Sequence, residues 1–290
     1  DVCKLSVIVY VDFYNINDLH GKLDDGDGHI GVDELTTYLK NARKSDDNAL
    51  FVSTGDMWQG QAESNMTKGI IMTDWMNEMD FVSMTIGNHE FDWGEAAIEE
   101  NLELAEFPFL AINVYDRATD TLAPYCTPSV TVECDGVTIA IIGAIGNCYS
   151  SISGDKVENI YFKTGAELNS LIRAESERLR AEGADFVILS IHDGWAAASL
   201  SSDCIDLVFE GHTHKSYVRE DAHGVYHLQG GGDNDGITHA EAVINFVTGE
   251  STVTVAEIVS ASVYSTYSSD ALVDSLMNKY ADEVAKADEV

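Results

Sequence analysis

Positive charge is what this chain has least of. Sixteen lysines and arginines stand against fifty aspartates and glutamates, a formal net charge of −34 over 290 residues. A surface of that sign repels nucleic-acid backbones and anionic membranes, which excludes sequence-independent DNA or RNA binding. Its simplest meaning is solubility, in a salty or extracellular setting. No apolar run approaches the ~20 residues that span a bilayer. The apolar stretch at 7–11 is too short for the core of a signal peptide, and no cleavage pattern follows it. The cysteines, Cys3, Cys126, Cys134, Cys148 and Cys204, are odd in number, and none has the C-x-x-C spacing of a zinc site. Cys126 and Cys134 flank an expected strand and could pair, or remain buried thiols. Internal repeats and low-complexity linkers are missing too. With 45% hydrophobic residues, the chain reads as one large α/β domain.

What is present is an alternation of strand-length apolar runs with helical periodicity. Residues 13–16 read as a strand that starts as early as 5, and 49–53, 81–86, 109–114, 185–191 and 205–209 as further buried strands. Residues 129–134 and 137–142 form a hairpin about Asp135-Gly136, a favoured two-residue turn. Residues 225–228, 238–246 and 252–259 look like closing strands, with a turn at Thr248-Gly249. Apolar residues at helical spacing predict helices over 67–79, 94–107, 164–182 and 270–284. Another is expected to open at Asp33 as its cap, with Leu35, Tyr38, Leu39 and Ala42 on one face. The acidic, glycine-rich stretch from Leu23 to Glu34 is EF-hand-like only in part. Its first ligand position is Leu23 and no helix precedes it, so it reads as a surface loop.

Five strand-like runs end in a small cluster of Asp, Asn or His: Asp18/His20, Asp56, Asn88/His89, His192 and His212/His214. One such ending is common; five in succession, most with a glycine close by, are not. They lie where α/β proteins place their sites, at the carboxyl ends of strands. The donors are nitrogen and oxygen without thiolate, which favours Mn, Fe, Co, Zn or Ni over a structural thiolate zinc. Asp18, His20, Asp56, Asn88, His192, His212 and His214 are too many for one ion. They suit two ions sharing a carboxylate, the arrangement used for in-line displacement at phosphorus. Asp92 lies three residues after His89, close enough to orient its ring. His29, His223, His227 and His239 read as surface or sheet residues.

The order N-D-x-H-G (Asn17 to Gly21), G-D-x-x-x-G (Gly55 to Gly60), G-N-H-E-F-D (Gly87 to Asp92), a lone His192 and G-H-T-H (Gly211 to His214) resembles the calcineurin-like metallophosphoesterases. Within them it is similar to the 5′-nucleotidase branch, which includes 2′,3′-cyclic-nucleotide phosphodiesterases. The resemblance spans roughly residues 13 to 285. It implies a four-layer fold, two mixed β-sheets flanked by helices, with a dinuclear metal site at the strand ends. One ion would be held by Asp18, His20, Asp56 and His214, the other by Asp56, Asn88, His192 and His212, with Asp56 bridging. His89 would be catalytic rather than a ligand, with Asp92 holding its ring and Glu90 a supporting or helix-capping residue. The implied activity is hydrolysis of a small-molecule phosphate ester, 5′-nucleotides foremost, by in-line attack of a bridging hydroxide. A cyclic-nucleotide phosphodiesterase, a sulfur-ester hydrolase and a non-catalytic metal-binding domain are the alternatives. The resemblance further implies that residues 1–290 are the catalytic domain. Its last helix, about 270–287, would lead to a C-terminal substrate-binding domain that this chain does not contain. Relatives of that branch are mostly exported, which leads to an extracellular, periplasmic or cell-surface expectation. A start at Asp1 in place of Met and the acidic surface agree with it.

Overall fold

The computed structural model describes residues 8–23, 25, 30–194 and 204–285. Cys3, part of the EF-hand-like loop (residues 24 and 26–29, His29 among them) and residues 195–203 lie outside the described residues.

Strand pleating sorts the apolar residues into layers. In β1 (Ile8–Ile16) and β2 (Leu50–Ser53), Val9, Val11, Phe13, Leu50 and Val52 face one core, while Tyr14, Ile16 and Phe51 face another. With β3 (Ser83–Thr85) and β4 (Phe109–Leu110), these strands run parallel. The strands β5 (Val114–Asp116) and β8 (Ile160–Phe162) form a separate antiparallel pair. A second sheet contains β6 (Ser129–Cys134), β7 (Val137–Ile145), β9 (Phe186–His192), β10 (Leu207–Glu210), β11 (Ser216–Glu220) and β12 (Tyr226–Gly230), in the order β11-β12-β10-β9-β7-β6. Finally β13 (Gly236–Asn245) and β14 (Glu250–Ser260) return antiparallel to the first sheet, giving β14-β13-β1-β2-β3-β4.

Alternation along β7 makes the layering explicit. Ile139 and Ile141 enter the core between the two sheets, where Phe13 and Phe186 stack at 5.8 Å, and Ala140 and Ile142 face outward. That outer face is covered by α5 (Gly165–Ala181) through Leu168, Ile172 and Leu179. The first sheet is covered by α1 (Val32–Ser45), α3 (Ile70–Glu78), α4 (Glu95–Leu104) and α7 (Ala271–Lys279) through Leu35, Trp75, Ile98 and Leu276. The short helices α2 (Ala62–Met66), α6 (Ala261–Tyr264) and α8 (Ala281–Val284) complete the set among the described residues. The architecture is the expected one: two mixed sheets packed face to face between helices.

Several local expectations differ. The helix expected at 67–79 begins only at Ile70, as α3, and a separate short helix, α2, precedes it; Lys68 and Gly69 take φ of +51° and +85° between the two and turn the chain beneath the Trp58 ring. The run 109–114 leaves the first sheet after Leu110. The Asn113 side chain accepts from the Ile145 amide and donates to the Ile145 and Lys163 carbonyls, taking the place of a strand partner. Asp33 is not the cap of α1; Gly31 is, and Asp33 sits in the first turn, where its charge complements the helix dipole. Asp270 does cap α7, accepting from the Leu272 amide, but that helix stops at Lys279. β11 went unread because Ser216 to Glu220 has no apolar alternation. Cys126, Cys134, Cys148 and Cys204 are all unbridged.

Candidate metal centre

The carboxyl ends of β1, β2, β3, β9 and β10 meet at one edge of the sandwich, and each delivers one of the predicted clusters. Here the core between the sheets turns polar. Thr54 donates to the Asn15 side chain at 2.6 Å, and Ser190 lies between Thr54 and Thr85 at 3.1 and 2.7 Å. Beyond these hydroxyls come the ligand types. Asp18, His20 and His214 form one cluster, Asp18, Asp56 and His192 a second, and Cys148, His192 and His212 a third, each with donor atoms within 4.8 Å of one another.

Backbone conformation aims them. Asp18, His20, Asp56, His212 and His214 all have positive φ, between +50° and +70°. Non-glycine residues rarely adopt this left-handed region, and its cost is borne where the surroundings over-determine the conformation. Here they do so. The amides of Asp18 and His20 donate to the carbonyls of Gly55 and Asp56, and the His212 amide donates to both Asp18 oxygens, at 3.0 and 2.8 Å.

The imidazoles are oriented by their other nitrogens. His20 Nδ1 lies 2.7 Å from the Gln59 carbonyl and His192 Nδ1 2.6 Å from the Thr54 carbonyl, so each donates there and turns Nε2 inward. His20 Nε2 and His214 Nε2 are 3.1 Å apart, converging on one point. His192 Nε2 is 2.9 Å from Asp56 Oδ2 without hydrogen-bond alignment. Asn88 Oδ1 is buried with no hydrogen-bond partner. Two buried atoms of ligand type without a hydrogen-bond partner, at strand ends that carry these clusters, fit a site for divalent ions.

Charge follows the same geometry. Burial opposes ionisation of Asp56, but His192 beside it overrides this and holds the carboxyl well below its usual range. Burial likewise opposes charge on His192, and Asp56 and Asp18 overcome it, raising that imidazole to about 10. A divalent cation bound here would take the place of the proton that such a pair holds. His212 is lowered by burial and by the charge of His192.

His89 stands at the rim. It opens a 3₁₀ turn (His89–Phe91) after Asn88, and its amide donates to Asp56 Oδ1 at 2.8 Å. Its Nδ1 lies 2.8 Å from Asp92 Oδ2. That hydrogen bond, opposed by burial, raises His89 to about 9. Its ring is edge-on to His20, 5.2 Å between centroids.

Sequence reasoning undervalued four residues. Glu90 is completely buried and accepts from the amides of Asp56, Met57 and Gly87 at 2.9, 2.9 and 2.7 Å, locking two motifs together. Burial, then the nearby Asp56, raises it to about 7. Asn17 ties Asp18 to the end of β12, donating to the Gly231 carbonyl and accepting from the Gly230 amide. Gln229 holds the G-H-T-H loop, donating to the Gly211 carbonyl and accepting from Thr213 and the Lys215 amide. The fourth, Cys148, places a sulfur beside His192 and His212, where only nitrogen and oxygen donors were expected. For Glu90 the available signal was its position between His89 and Phe91 in a glycine turn; Gln229 and Cys148 gave none.

Fold and site together define a two-sheet α/β domain with candidate metal-binding clusters of aspartate and histidine at its strand ends. Residues 12–216 match the family described as calcineurin-like phosphoesterase, and the chain belongs to that family of metal-dependent hydrolases. It is 31% identical over 216 residues to an apyrase of Tabanus yao, covering 69% of this chain and 38% of that protein. It is 28% identical over 214 residues to the 5′-nucleotidase of Mus musculus, covering 68% of this chain and 36% of that one. The chain thus spans well under half the length of these relatives. Among solved structures, the calcineurin-like phosphoesterase YfkN from Bacillus subtilis superposes with a TM-score of 0.80 at 18% identity, covering 97% of this chain and 99% of that one. No helix among the described residues is long and apolar enough to cross a membrane.

Proposed function

We propose that this chain is the catalytic domain of a phosphoesterase that uses two divalent ions to hydrolyse nucleotides, 5′-nucleotides foremost. One ion would be held by Asp18, His20, Asp56 and His214 and the other by Asp56, Asn88, His192 and His212, with Asp56 serving both. The observation that carries the reading is the set of Asp and His clusters at the strand ends, with His192 Nε2 and Asn88 Oδ1 buried there without a hydrogen-bond partner. The donor set suits Mn, Zn, Fe or Co.

Such ions supply Lewis acidity toward phosphate oxygens and an activated water near neutral pH. The remaining chemistry is the chain's own. Asp92 fixes the His89 tautomer with the proton on Nδ1 and favours the imidazolium, so that Nε2 donates to the phosphate or the leaving oxygen at neutral pH. Glu90 holds the backbone under Asp56 and Gly87, keeping the bridging carboxylate and His89 in register. The positive centre answers how a protein of charge −34 can take an anion. The same reading assigns nucleoside selection to a separate substrate-binding domain and an exported location to the protein; fractionation of cells that make it tests the latter.

The experiment is a panel of p-nitrophenyl phosphate, bis-p-nitrophenyl phosphate, 5′-AMP and 2′,3′-cyclic AMP, assayed with Mn²⁺, Co²⁺ or Zn²⁺. Phosphate release from 5′-AMP with two ions bound per chain is expected. Absence of turnover on every substrate with two ions bound overturns the catalytic reading.

A further inference from the structure

The two-ion reading leaves one donor unused. Cys148 is buried, and its Sγ lies with a nitrogen of His192 and one of His212 in a single cluster, all within 4.8 Å of one another. Its position is fixed by the fold. The 3₁₀ turn Asn147–Ser151 leaves β7 and is tied to the end of β9. The Gly146 amide donates to the His192 carbonyl at 3.1 Å, the Asn147 amide to Asp193 Oδ2 at 2.7 Å, and the Cys148 thiol to the His192 carbonyl at 2.7 Å. A side chain at residue 146 has no room, since a Cβ there would sit 2.3 Å from that of Asp193. Cys126, Cys134 and Cys204 enter no such cluster among the described residues.

We propose that Cys148 ligates the second ion through Sγ, beside His192 and His212. This rests on the two-ion reading above. Ligation exchanges the S–H···O=C bond for a sulfur–metal bond: the sulfur lone pair goes to the ion and the thiol proton to water. A soft donor biases that position toward Zn²⁺, Co²⁺ and Cd²⁺ over Mn²⁺. The thiolate also becomes a third anionic ligand beside Asp18 and Asp56, leaving two divalent ions with one net positive charge toward a phosphate.

The test is Co²⁺ titration of the metal-stripped protein, following absorbance and bound cobalt together. The wild type should develop the near-ultraviolet thiolate-to-cobalt charge-transfer band as the second ion binds. Cys148→Ser keeps a hydroxyl able to donate to the His192 carbonyl, so a merely structural thiol is replaced without loss. The variant should bind two ions, lack the band and bind Cd²⁺ at least ~10-fold more weakly, the scale set by loss of a supporting group at a metal site. Its Mn²⁺ affinity should change far less. Cys148→Ala, checked for folding by circular dichroism, should behave alike. Two bound cobalt ions without the band in the wild type overturn the thiolate ligand alone. A band that survives in Cys148→Ser does the same, because it arises from another thiol. Fewer than two bound ions in the wild type overturn the two-ion reading and this inference with it.

Discussion

Replacing Gly87 with alanine isolates how tightly the motif that opens with it is built. The φ of Gly87 is not in the left-handed region, so an alanine backbone is allowed and the methyl group is the whole perturbation. That carbon would lie 2.3 Å from Asp56 Oδ1, 2.7 Å from the Asp56 amide and 2.9 Å from Glu90 Oε2. The first distance falls about 1.1 Å short of the 3.4 Å at which ordinary contact begins. None of the three atoms can yield freely. Asp56 Oδ1 accepts from the His89 amide, and the Asp56 amide donates to Glu90. The displacement therefore passes to the Asp56 carboxylate, and a misplacement of ~1 Å costs roughly 10²-fold in rate. Overpacking should cost about 1–3 kcal/mol of stability. Gly94→Ala is the matched control. Its φ of +81° strains an alanine by about 1–3 kcal/mol, but no heavy atom lies within 4 Å of the added carbon. Turnover on 5′-AMP, bound metal and urea unfolding measured on both variants separate the effects. Similar stability losses are expected, with turnover lost in Gly87→Ala alone. Wild-type turnover in Gly87→Ala, or an equal loss in Gly94→Ala, would refute the reasoning.

Four other outcomes follow from the same structure. His89→Ala should keep two bound ions and lose about 10²-fold or more in kcat; Asp92→Asn should move the alkaline limb of the pH–rate profile to lower pH, because the hydrogen bond that raises His89 is weakened, and an unmoved limb removes Asp92 from that role. Asp56→Ala should bind fewer than two ions by elemental analysis; full metal content would mean that Asp56 does not bridge. Far from the centre, His239 on β13 stacks on Tyr14 and contacts Asp12 and Glu257 at 2.6 and 3.0 Å. Burial opposes its charge, and the two carboxylates overcome it and raise its folded pKa. Its stabilisation is therefore full below the unfolded value of about 6.5 and fades as pH rises through the higher folded value. Asp12, lowered first by its bond to His239, contributes above about 3.9 and fades as pH falls through its depressed folded value. Urea unfolding should show wild type losing stability relative to His239→Gln as pH rises above about 6.5; parallel curves would dismiss the pair.

The division between what could be read in the sequence and what could not follows the range of the forces involved. Layering was legible because pleating is local. Val9, Val11 and Phe13 alternate with Tyr14 and Ile16 whatever lies opposite, and ligand types stand out when they end such runs. The break at Lys68-Gly69 and the departure of Val114 from the first sheet were not legible, since each depends on a distant partner, the Trp58 ring in one case and the Ile145 backbone in the other. The site divides in the same way. Its donors could be picked out by residue type, but the agents that aim them are backbone carbonyls of Gln59 and Thr54 and side chains 16 to 34 residues away, as with Gln229 on Thr213 and Glu90 on Asp56. Glu90 illustrates the cost of judging by spacing. Three residues from the turn glycine it resembles a helix cap, yet it accepts three amides from two separate strand ends. A carboxylate used this way substitutes for the strand partner that the chain loses where β2 and β3 end. The positive φ of Asp18, His20, Asp56, His212 and His214 belongs to the same argument: such a backbone persists only because the opposing loop holds it, so the ligand geometry is a property of the paired strand ends and of no single motif.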